Sequence, residues 1–266
     1  MNNNSIGIFD SGIGGLTVAN AIRQVLPNES IVYFGDTAHL PYGDKSPELI
    51  INYSKSISDF LLSKQCKVIV IACNTASAHA YEAVKKHLDN KIVVIDVINP
   101  VVEYVANNYS NKTVGIIGTK GTIQSCVYEK KLKDLNANIK TVSLATGLFA
   151  SMIEEGFINN AVSKAVINEY FSLPGFKDID AIVLGCTHYP LIKDEINDFF
   201  EDSVEVIDTA GIVAQYLKTK LIELNLNTSN NNPIEEFYIS DFTPYFENVA
   251  NSFFKQKIKL QLAQIW

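Results

Sequence analysis

Two cysteines, Cys73 and Cys186, occupy matching positions in this chain of 266 residues. Residues 69–80 read IVIACNTASAHA and residues 182–191 read IVLGCTHYPL, so each cysteine ends an apolar run and is followed by polar residues. Such a pattern is typical of a strand that leads into a helix. Because a helix N-terminus favours the thiolate, we expect both cysteines to have a lowered pKa and a functional role.

The other two cysteines, Cys66 and Cys126, lack this setting, and we interpret them as small buried apolar residues. No two cysteines have the C-x-x-C spacing, and the four histidines are scattered along the chain. A zinc site of ordinary spacing is therefore not expected, and we predict no metal.

The segment DSGIGGLTV at residues 10–18 contains three glycines and leads into a helical pattern. It lacks the G-x-G-x-x-G spacing and the Gly-Lys-Ser/Thr end of a P-loop, so a nucleotide site is not indicated. A tight strand-to-helix turn that needs small residues would explain the glycines. Asp10 and Ser11 nevertheless suit an amino-acid ligand, because Asp10 can bind an ammonium group and backbone N–H groups can bind a carboxylate.

Three further segments carry polar residues near these turns. His188, two residues after the second cysteine, fits an acid–base or orienting role and a helix cap or surface residue equally well. LPYG at residues 40–43 predicts a turn that leaves Tyr42 to contact a neighbour. Glu154 and Glu155, taken from the pattern alone, are typical of a solvated helix face.

The composition excludes several classes of function. The net charge is −7 and no dense Lys/Arg block occurs, which argues against nucleic acid or an anionic membrane surface as the partner. No apolar run is long enough to span a membrane, and MNNNSIGIFD at residues 1–10 enters a strand without a signal peptide. We therefore expect a cytoplasmic protein with reduced thiols.

Short Ile- and Val-rich runs alternate with amphipathic stretches, which predicts an α/β fold whose parallel strands are covered on both faces. A faint internal repeat relates residues 7–14 to 115–122, an offset of 108, and Cys73 to Cys186, an offset of 113. We therefore predict two similar domains, each a mostly parallel sheet flanked by helices, related by pseudo-two-fold symmetry. The predicted strands are Ile6–Phe9, Ile31–Phe34, Val68–Ala72, Ile92–Ile95, Val114–Ile117, Ile139–Ser143, Ala181–Leu184, Val204–Ile207 and Glu236–Ile239.

The predicted first domain comprises residues 1–97 and 209–266, and the second comprises residues 98–208. The chain would cross near Asn99-Pro100 and return near residues 208–216, and the polar run NTSNNN that follows would be a surface loop. In open α/β sheets, ligands bind beyond the carboxyl ends of the strands. One site between the domains is therefore expected to include Cys73, Cys186, Asp10, Ser11, Asp36 and Thr119.

Five segments in order along the chain resemble those of the glutamate racemases, in the cofactor-independent aspartate/glutamate racemase superfamily. They are GIFDSGIGGLTV, YFGDTAHLPYG, VIACNTASA, GTKGTIQS and LGCTHYPL, with LFASMIEEG as a looser match, and they span residue 6 to about residue 191. The resemblance implies two α/β domains with the active site between them and both termini in the first domain. It also implies interconversion of L- and D-glutamate, the D form serving bacterial peptidoglycan synthesis.

Carried over residue by residue, the resemblance implies that Cys73 and Cys186 are the catalytic thiols. By the family's assignment, Cys73 takes the proton from D-glutamate and Cys186 takes it from L-glutamate. Asp10, Glu154 and His188 correspond to residues that assist the thiols, although the segment around Glu154 departs from the Pro-rich family pattern and leaves Glu155 as an alternative. The implied substrate-contacting residues are Asp10, Ser11, Tyr42, Gly43, Asn74, Thr75, Thr119, Thr187 and His188.

Two thiols suit racemisation because a proton leaves one face of the α-carbon and another arrives at the opposite face. Two bases need not move around the substrate, and at rest one is a thiolate and the other a thiol. Hydrogen-bond donors around the α-carboxylate would stabilise the carbanion. We expect no cofactor and a small-molecule substrate, glutamate, as the partner; a homodimer is left open.

Three alternatives remain. An aspartate racemase would use the same machinery on a shorter substrate. A thiol hydrolase would use Cys186 with His188, but it leaves Cys73 unexplained, and residues two apart at a helix start need not point together. An amino-acid-binding protein without catalysis would keep the polar residues and tolerate the loss of either cysteine.

Overall fold

The structure, a computed structural model, describes residues 4–135, 137–254 and 256–266. These residues form ten strands and eleven α-helices. The strands are β1 (Ile6–Asp10), β2 (Ile31–Gly35), β3 (Val68–Ile71), β4 (Val93–Asp96), β5 (Thr113–Gly118), β6 (Lys140–Ala145), β7 (Ala181–Gly185), β8 (Glu205–Ile207), β9 (Glu235–Ile239) and β10 (Leu260–Leu262). The helices are α1 (Leu16–Val25), α2 (Pro47–Ser63), α3 (Asn74–His87), α4 (Asn99–Asn108), α5 (Lys120–Gln124), α6 (Val127–Asp134), α7 (Gly147–Glu154), α8 (Ala161–Phe171), α9 (Lys193–Phe199), α10 (Thr209–Glu223) and α11 (Pro244–Phe254).

The strands form two sheets in which all neighbouring strands are parallel. The order of the first sheet is β10-β9-β2-β1-β3-β4, and the order of the second is β6-β5-β7-β8. Four strands of the first sheet, β2-β1-β3-β4, therefore follow the same order as the whole second sheet. The predicted α/β fold with two similar parallel units is confirmed, and the strands that precede the two cysteines, β3 and β7, correspond in it.

All nine predicted strands are present, with bounds that differ by one or two residues at most. The sequence did not predict β10, because a strand of three residues is too short to give a periodic signal. It pairs with β9 at the edge of the first sheet.

The central strands are buried at every position because helices cover both faces of the first sheet. Along β1, Ile8 belongs to the core shared with the second unit, whereas the next residue, Phe9, belongs to a separate core. Helices α2 and α3 pack together, and α1 packs against α10. The alternation of side chains along each strand thus divides the apolar residues between two layers.

The chain passes between the sheets twice. It leaves the first sheet after β4 through α4 and returns from β8 to β9 through α10, and these two helices pack against each other. They begin at Asn99 and Thr209. Residues 227–232 lie outside helices and strands, as predicted. In the described ranges, every helix is too short or too polar to cross a membrane.

A buried ion pair lies at the amino ends of two strands of the first sheet. Lys67 precedes β3 and Glu29 precedes β2, and Lys67 Nζ lies 2.5 Å from Glu29 Oε2 with both side chains almost fully buried. Glu29 Oε1 accepts a hydrogen bond from the Thr228 backbone N–H at 2.9 Å. The pair therefore joins the edge opposite the cysteines to the loop before β9.

Lys67→Met should lower the free energy of unfolding by about 3–5 kcal/mol, because the Glu29 carboxylate would stay buried without its lysine. The matched control is Lys91→Met, which removes an exposed partner of Asp89 and should cost less than about 1 kcal/mol. Urea unfolding followed by circular dichroism measures both values. Equal stabilities for the two variants would contradict the assignment.

Candidate active site

Cys73 lies directly beyond β3 and is the N-cap of α3. Its Sγ accepts a hydrogen bond from the Ala76 backbone N–H at 3.4 Å and donates to Ser11 Oγ at 3.5 Å. Burial and the nearby Asp10 carboxyl raise the pKa of Cys73 to about 12, although the Ala76 bond opposes the shift. The expectation of a lowered pKa is therefore wrong for Cys73, because the loss of water outweighs the helix N-terminus.

Cys186 lies directly beyond β7, but no α-helix starts at this cysteine. Thr187 and His188 intervene, and a short 3₁₀ helix over Tyr189–Ile192 precedes α9. Thr187 and His188 bend the chain back toward the cysteine, so that His188 Nδ1 lies 3.6 Å from Cys186 Sγ. Although residues two apart need not point together, the side chains of Cys186 and His188 do meet in this turn.

His188 is buried and lies between a thiol and a carboxylate. Its Nε2 lies 2.8 Å from Glu154 Oε1, and the ring of Phe253 packs edge-on against it with 5.2 Å between centroids. Burial lowers the pKa of His188, but the hydrogen bonds to Cys186 and Glu154 outweigh it and raise the pKa to about 10. His188 is therefore a cation at neutral pH, and its side chain caps no helix.

Glu154 is the last residue of α7, and the next residue, Glu155, is exposed. Only one of the two carboxylates that the sequence left open therefore points to His188. Glu155 is solvent-exposed, as the sequence pattern predicted for both residues. Glu154 instead contacts His188, which in turn contacts Cys186.

Asp10 ends β1 and is fully buried behind the cavity wall. Its Oδ2 accepts a hydrogen bond from the Gly12 backbone N–H at 3.0 Å, and Thr187 Oγ1 donates to Oδ1 at 3.5 Å. Burial raises its pKa, whereas the charge of His188 opposes the shift. Asp10 thus lies outside the cavity lining, where it accepts a hydrogen bond from the turn of Cys186 and raises the pKa of Cys73.

The glycine-rich turn after β1 provides the space that His188 occupies. A Cβ added at Gly14 would lie 2.4 Å from His188 Nδ1 and 2.6 Å from Thr187 Oγ1. Because real Cβ atoms do not approach so closely, residue 14 must be glycine while His188 holds this position. The turn after β1 therefore leaves room for the residues that follow Cys186. The sequence pattern did not indicate this relation.

Tyr42 and Gly43 reach the cavity from the loop after β2. The Tyr42 O–H donates to Asp36 Oδ2 at 2.6 Å, and Asp36 also accepts from Ser240 Oγ at 2.7 Å. His39 Nδ1 lies 2.8 Å from the same carboxylate. Asp36 is fully buried, and its carboxylate holds this loop in place. The sequence placed Asp36 at the end of a strand near the site but did not predict this role.

Hydroxyl groups from the two units meet at another part of the cavity wall. Thr75 Oγ1 lies 2.8 Å from Thr119 Oγ1 and 3.2 Å from Thr122 Oγ1. The neighbouring Asn74 Oδ1 accepts from the Tyr128 O–H at 2.8 Å. The sequence analysis missed Thr122 and Tyr128, since GTKGTIQS was noted as a segment and Tyr128 lies in an unremarkable helix.

These residues enclose a cavity of about 180 Å³ between the two units. Except for Asp10 and Asp36, which are buried behind the cavity wall, every residue that the sequence predicted for the site lines it. The predicted lining residues are Ser11, Tyr42, Gly43, Cys73, Asn74, Thr75, Thr119, Glu154, Cys186, Thr187 and His188. The lining residues that the prediction missed are Leu40, Pro41, Ala150, Ser151 and Gly185.

Groups of three or more His, Cys, Asp and Glu side chains that could hold a metal ion are not found among the described residues. The cavity instead offers two thiols, one buried imidazolium and several neutral hydroxyl and amide groups. Neutral donors and a cation suit a ligand that carries carboxylates.

Known proteins are similar to this chain in both sequence and fold. A family model described as Asp/Glu/Hydantoin racemase matches residues 16–217. The chain is 41% identical over 258 residues to the glutamate racemase of Geobacter metallireducens, covering 96% of this chain and 94% of that one. It is 45% identical over 214 residues to the glutamate racemase of Aquifex aeolicus, covering 80% and 82%.

Two solved structures extend the comparison. A crystal structure of glutamate racemase from Francisella tularensis in complex with D-glutamate has a TM-score of 0.92 at 40% identity, covering 100% of this chain and 99% of that one. The glutamate racemase isoform RacE1 from Bacillus anthracis has a TM-score of 0.93 at 34% identity, covering 99% and 98%.

Glu154→Gln should lower the pKa of His188 below its wild-type value, because the neutral amide no longer stabilises the imidazolium. An NMR titration of the histidine ring nitrogens measures the shift. The matched control, Glu155→Gln, alters an exposed neighbour and should leave the titration unchanged. A common response of both variants would exclude a specific role of Glu154 in the charge of His188.

Proposed function

This chain belongs to the Asp/Glu/Hydantoin racemase family, and we propose that it interconverts L-glutamate and D-glutamate. The observation that carries the proposal is the pair of thiols, one from the corresponding turn of each sheet, that face a single cavity. Glutamate is the preferred substrate because the similar chains are named glutamate racemases, and one similar structure contains D-glutamate.

In the proposed reaction with L-glutamate, the Cys186 thiolate removes the α-proton and leaves a carbanion. The Cys73 thiol then gives its proton to the opposite face of the α-carbon, which yields D-glutamate, a Cys186 thiol and a Cys73 thiolate. The reaction with D-glutamate runs in reverse, so protons and charge balance in both directions. General acid–base catalysis of this kind contributes about 10²–10⁴-fold per group.

The charges around the two sulfurs support this division of roles. The raised pKa keeps Cys73 as a thiol at neutral pH, which is the form needed to deliver a proton. The His188 cation lies 3.6 Å from Cys186 Sγ and suits a negative charge on that sulfur. We propose that Glu154 holds His188 in place and that Asp10 assists through the charges of both turns.

Substrate binding is assigned to the neutral groups of the cavity wall and to the His188 cation. Backbone N–H groups and side-chain hydroxyls would donate to the two carboxylates, and donors at the α-carboxylate would stabilise the carbanion. Asp10 would attract the ammonium group from behind Ser11. The proposed binding residues are Ser11, Tyr42, Gly43, Asn74, Thr75, Thr119, Thr187 and His188.

The wider setting follows from the activity. We propose that the enzyme needs no cofactor, works in the cytoplasm and supplies D-glutamate for peptidoglycan synthesis. Its two domains would comprise residues 1–97 with 209–266 and residues 98–208. We leave the oligomeric state open.

One observation favours a second reaction class. The contacts from Cys186 through His188 to Glu154 place a sulfur nucleophile beside an imidazolium that a carboxylate orients, an arrangement that thiol hydrolases also use. This arrangement uses one cysteine only, whereas racemisation uses both. The roles of the two cysteines therefore discriminate between the reactions.

Cys73→Ala and Cys186→Ala should each reduce racemisation of glutamate by at least about 10²-fold, because each removes the acid or base of one face. Circular dichroism of L-glutamate over time measures the rate, and L-aspartate in a parallel assay tests the shorter substrate. The expectation that Cys126 is buried is wrong, because this cysteine is exposed and lies outside the cavity. Cys126→Ala is therefore the control and should retain the wild-type rate.

Each outcome of this assay has a separate meaning. Near-normal racemisation in either variant would exclude the two-thiol mechanism. Loss of activity in Cys186→Ala alone would favour the hydrolase arrangement, and faster turnover of aspartate would assign the shorter substrate. If the wild-type protein binds glutamate without racemising it, the chain is a binding protein.

In deuterated water, the first D-glutamate formed from L-glutamate should carry deuterium at the α-carbon. The delivering thiol has exchanged with solvent, whereas the proton removed from the substrate stays on the other thiol. Recovered L-glutamate should contain much less deuterium while that thiol exchanges more slowly than it returns its proton. Mass spectrometry of both enantiomers early in the reaction measures the label, and product that retains the substrate's own proton would indicate a single base.

A further inference from the structure

Tyr128 is a buried phenol that contacts the turns of both cysteines. It lies on α6 in the second unit and is 2% exposed. Its ring lies beside Gly185, where an added Cβ would be 3.7 Å from Tyr128 Cε2. Since Gly185 ends β7 directly before Cys186, the ring packs behind one of the two thiol-bearing turns.

The hydroxyl of Tyr128 reaches the turn that carries the other cysteine. It donates to Asn74 Oδ1 at 2.8 Å, and Asn74 directly follows Cys73 as the first residue of α3. Burial raises the pKa of the Tyr128 phenol, so the hydroxyl keeps its proton and remains a donor. The bond therefore joins the second unit to the first within the wall of the cavity.

This bond determines which end of the Asn74 side chain faces a ligand. A carboxamide has an acceptor oxygen at one end and two N–H donors at the other. Because Tyr128 occupies the oxygen and Asn74 lines the cavity, the N–H groups are the end left for a ligand. A carboxylate only accepts hydrogen bonds, so a flipped amide would present its oxygen to the ligand and repel it.

We propose that Tyr128 is a positioning residue, which holds the Asn74 carboxamide with its N–H groups directed to a carboxylate of bound glutamate. The inference rests on the proposed function and adds a residue outside the cavity to it. Tyr128 acts only through Asn74, since the phenol itself does not line the cavity. A double-mutant cycle can test this dependence.

The cycle compares the wild type, Tyr128→Phe, Asn74→Ala and the double variant in the racemisation of glutamate. Phenylalanine keeps the ring against Gly185 and removes only the hydroxyl. Tyr128→Phe should lower kcat/KM about tenfold in the wild-type background, mainly through a higher KM for both enantiomers. In the Asn74→Ala background the same substitution should change kcat/KM less than about twofold, because no amide is left to position.

The matched control is Tyr109→Phe, which removes the hydroxyl of another buried tyrosine in the second unit. Its hydroxyl hydrogen-bonds Glu205, and Tyr109 does not line the cavity, so kcat/KM should stay within about twofold of the wild type. Rates are measured at a temperature where circular dichroism finds every variant folded. A general loss from removing a buried hydroxyl would also appear in this control.

The outcomes separate this inference from the proposed function. If Tyr128→Phe lowers kcat/KM by the same factor in both backgrounds, the residue acts independently of Asn74 and the inference is wrong. Unchanged kinetics of Tyr128→Phe in the wild-type background would also overturn it. A wild-type protein without racemase activity overturns the proposed function and this inference together, whereas an active wild type leaves the cycle to decide the inference alone.

Discussion

Hydrogen bonds between the two units hold the walls of the cavity together. Thr17 Oγ1 donates to the Thr187 backbone carbonyl at 2.9 Å, which joins the start of α1 to the turn after β7. The Thr75–Thr119 hydroxyl contact and the bond between Tyr128 and Asn74 join the turn after β3 to the second unit. Because Thr187 directly follows Cys186 and Asn74 directly follows Cys73, the placement of both thiols depends on this interface.

The two cysteines occupy corresponding positions in the repeat, but their surroundings differ. Cys73 is surrounded by neutral donors and the Asp10 carboxyl, whereas Cys186 faces the His188 cation. A repeated fold therefore provides two sulfurs at one cavity, and the side chains that are not repeated give these sulfurs different electrostatic surroundings. Different surroundings suit the proposed reaction, which starts with one base and one acid.

The buried ion pair and the candidate site lie at opposite ends of the first sheet. The buried pair of Lys67 and Glu29 lies before the strands begin, whereas Asp10 and Cys73 lie where the strands end. In parallel sheets all carboxyl ends share one edge, so strands covered on both faces can form the core while that edge carries the site. Buried charges at the amino ends can therefore support the fold without entering the cavity.

Strand ends and polar turns are local patterns, so the amino-acid sequence was enough to predict nine strands, two matching cysteine turns and most residues of the cavity wall. Which side chains meet depends instead on how the elements pack. Only packing distinguishes Glu154 from Glu155, moves Asp10 behind the wall and connects Tyr128 to Asn74, since these contacts join residues distant along the chain. It also reversed the expected pKa shift of Cys73, because the depth of burial is a property of the assembled fold and not of the helix that begins there.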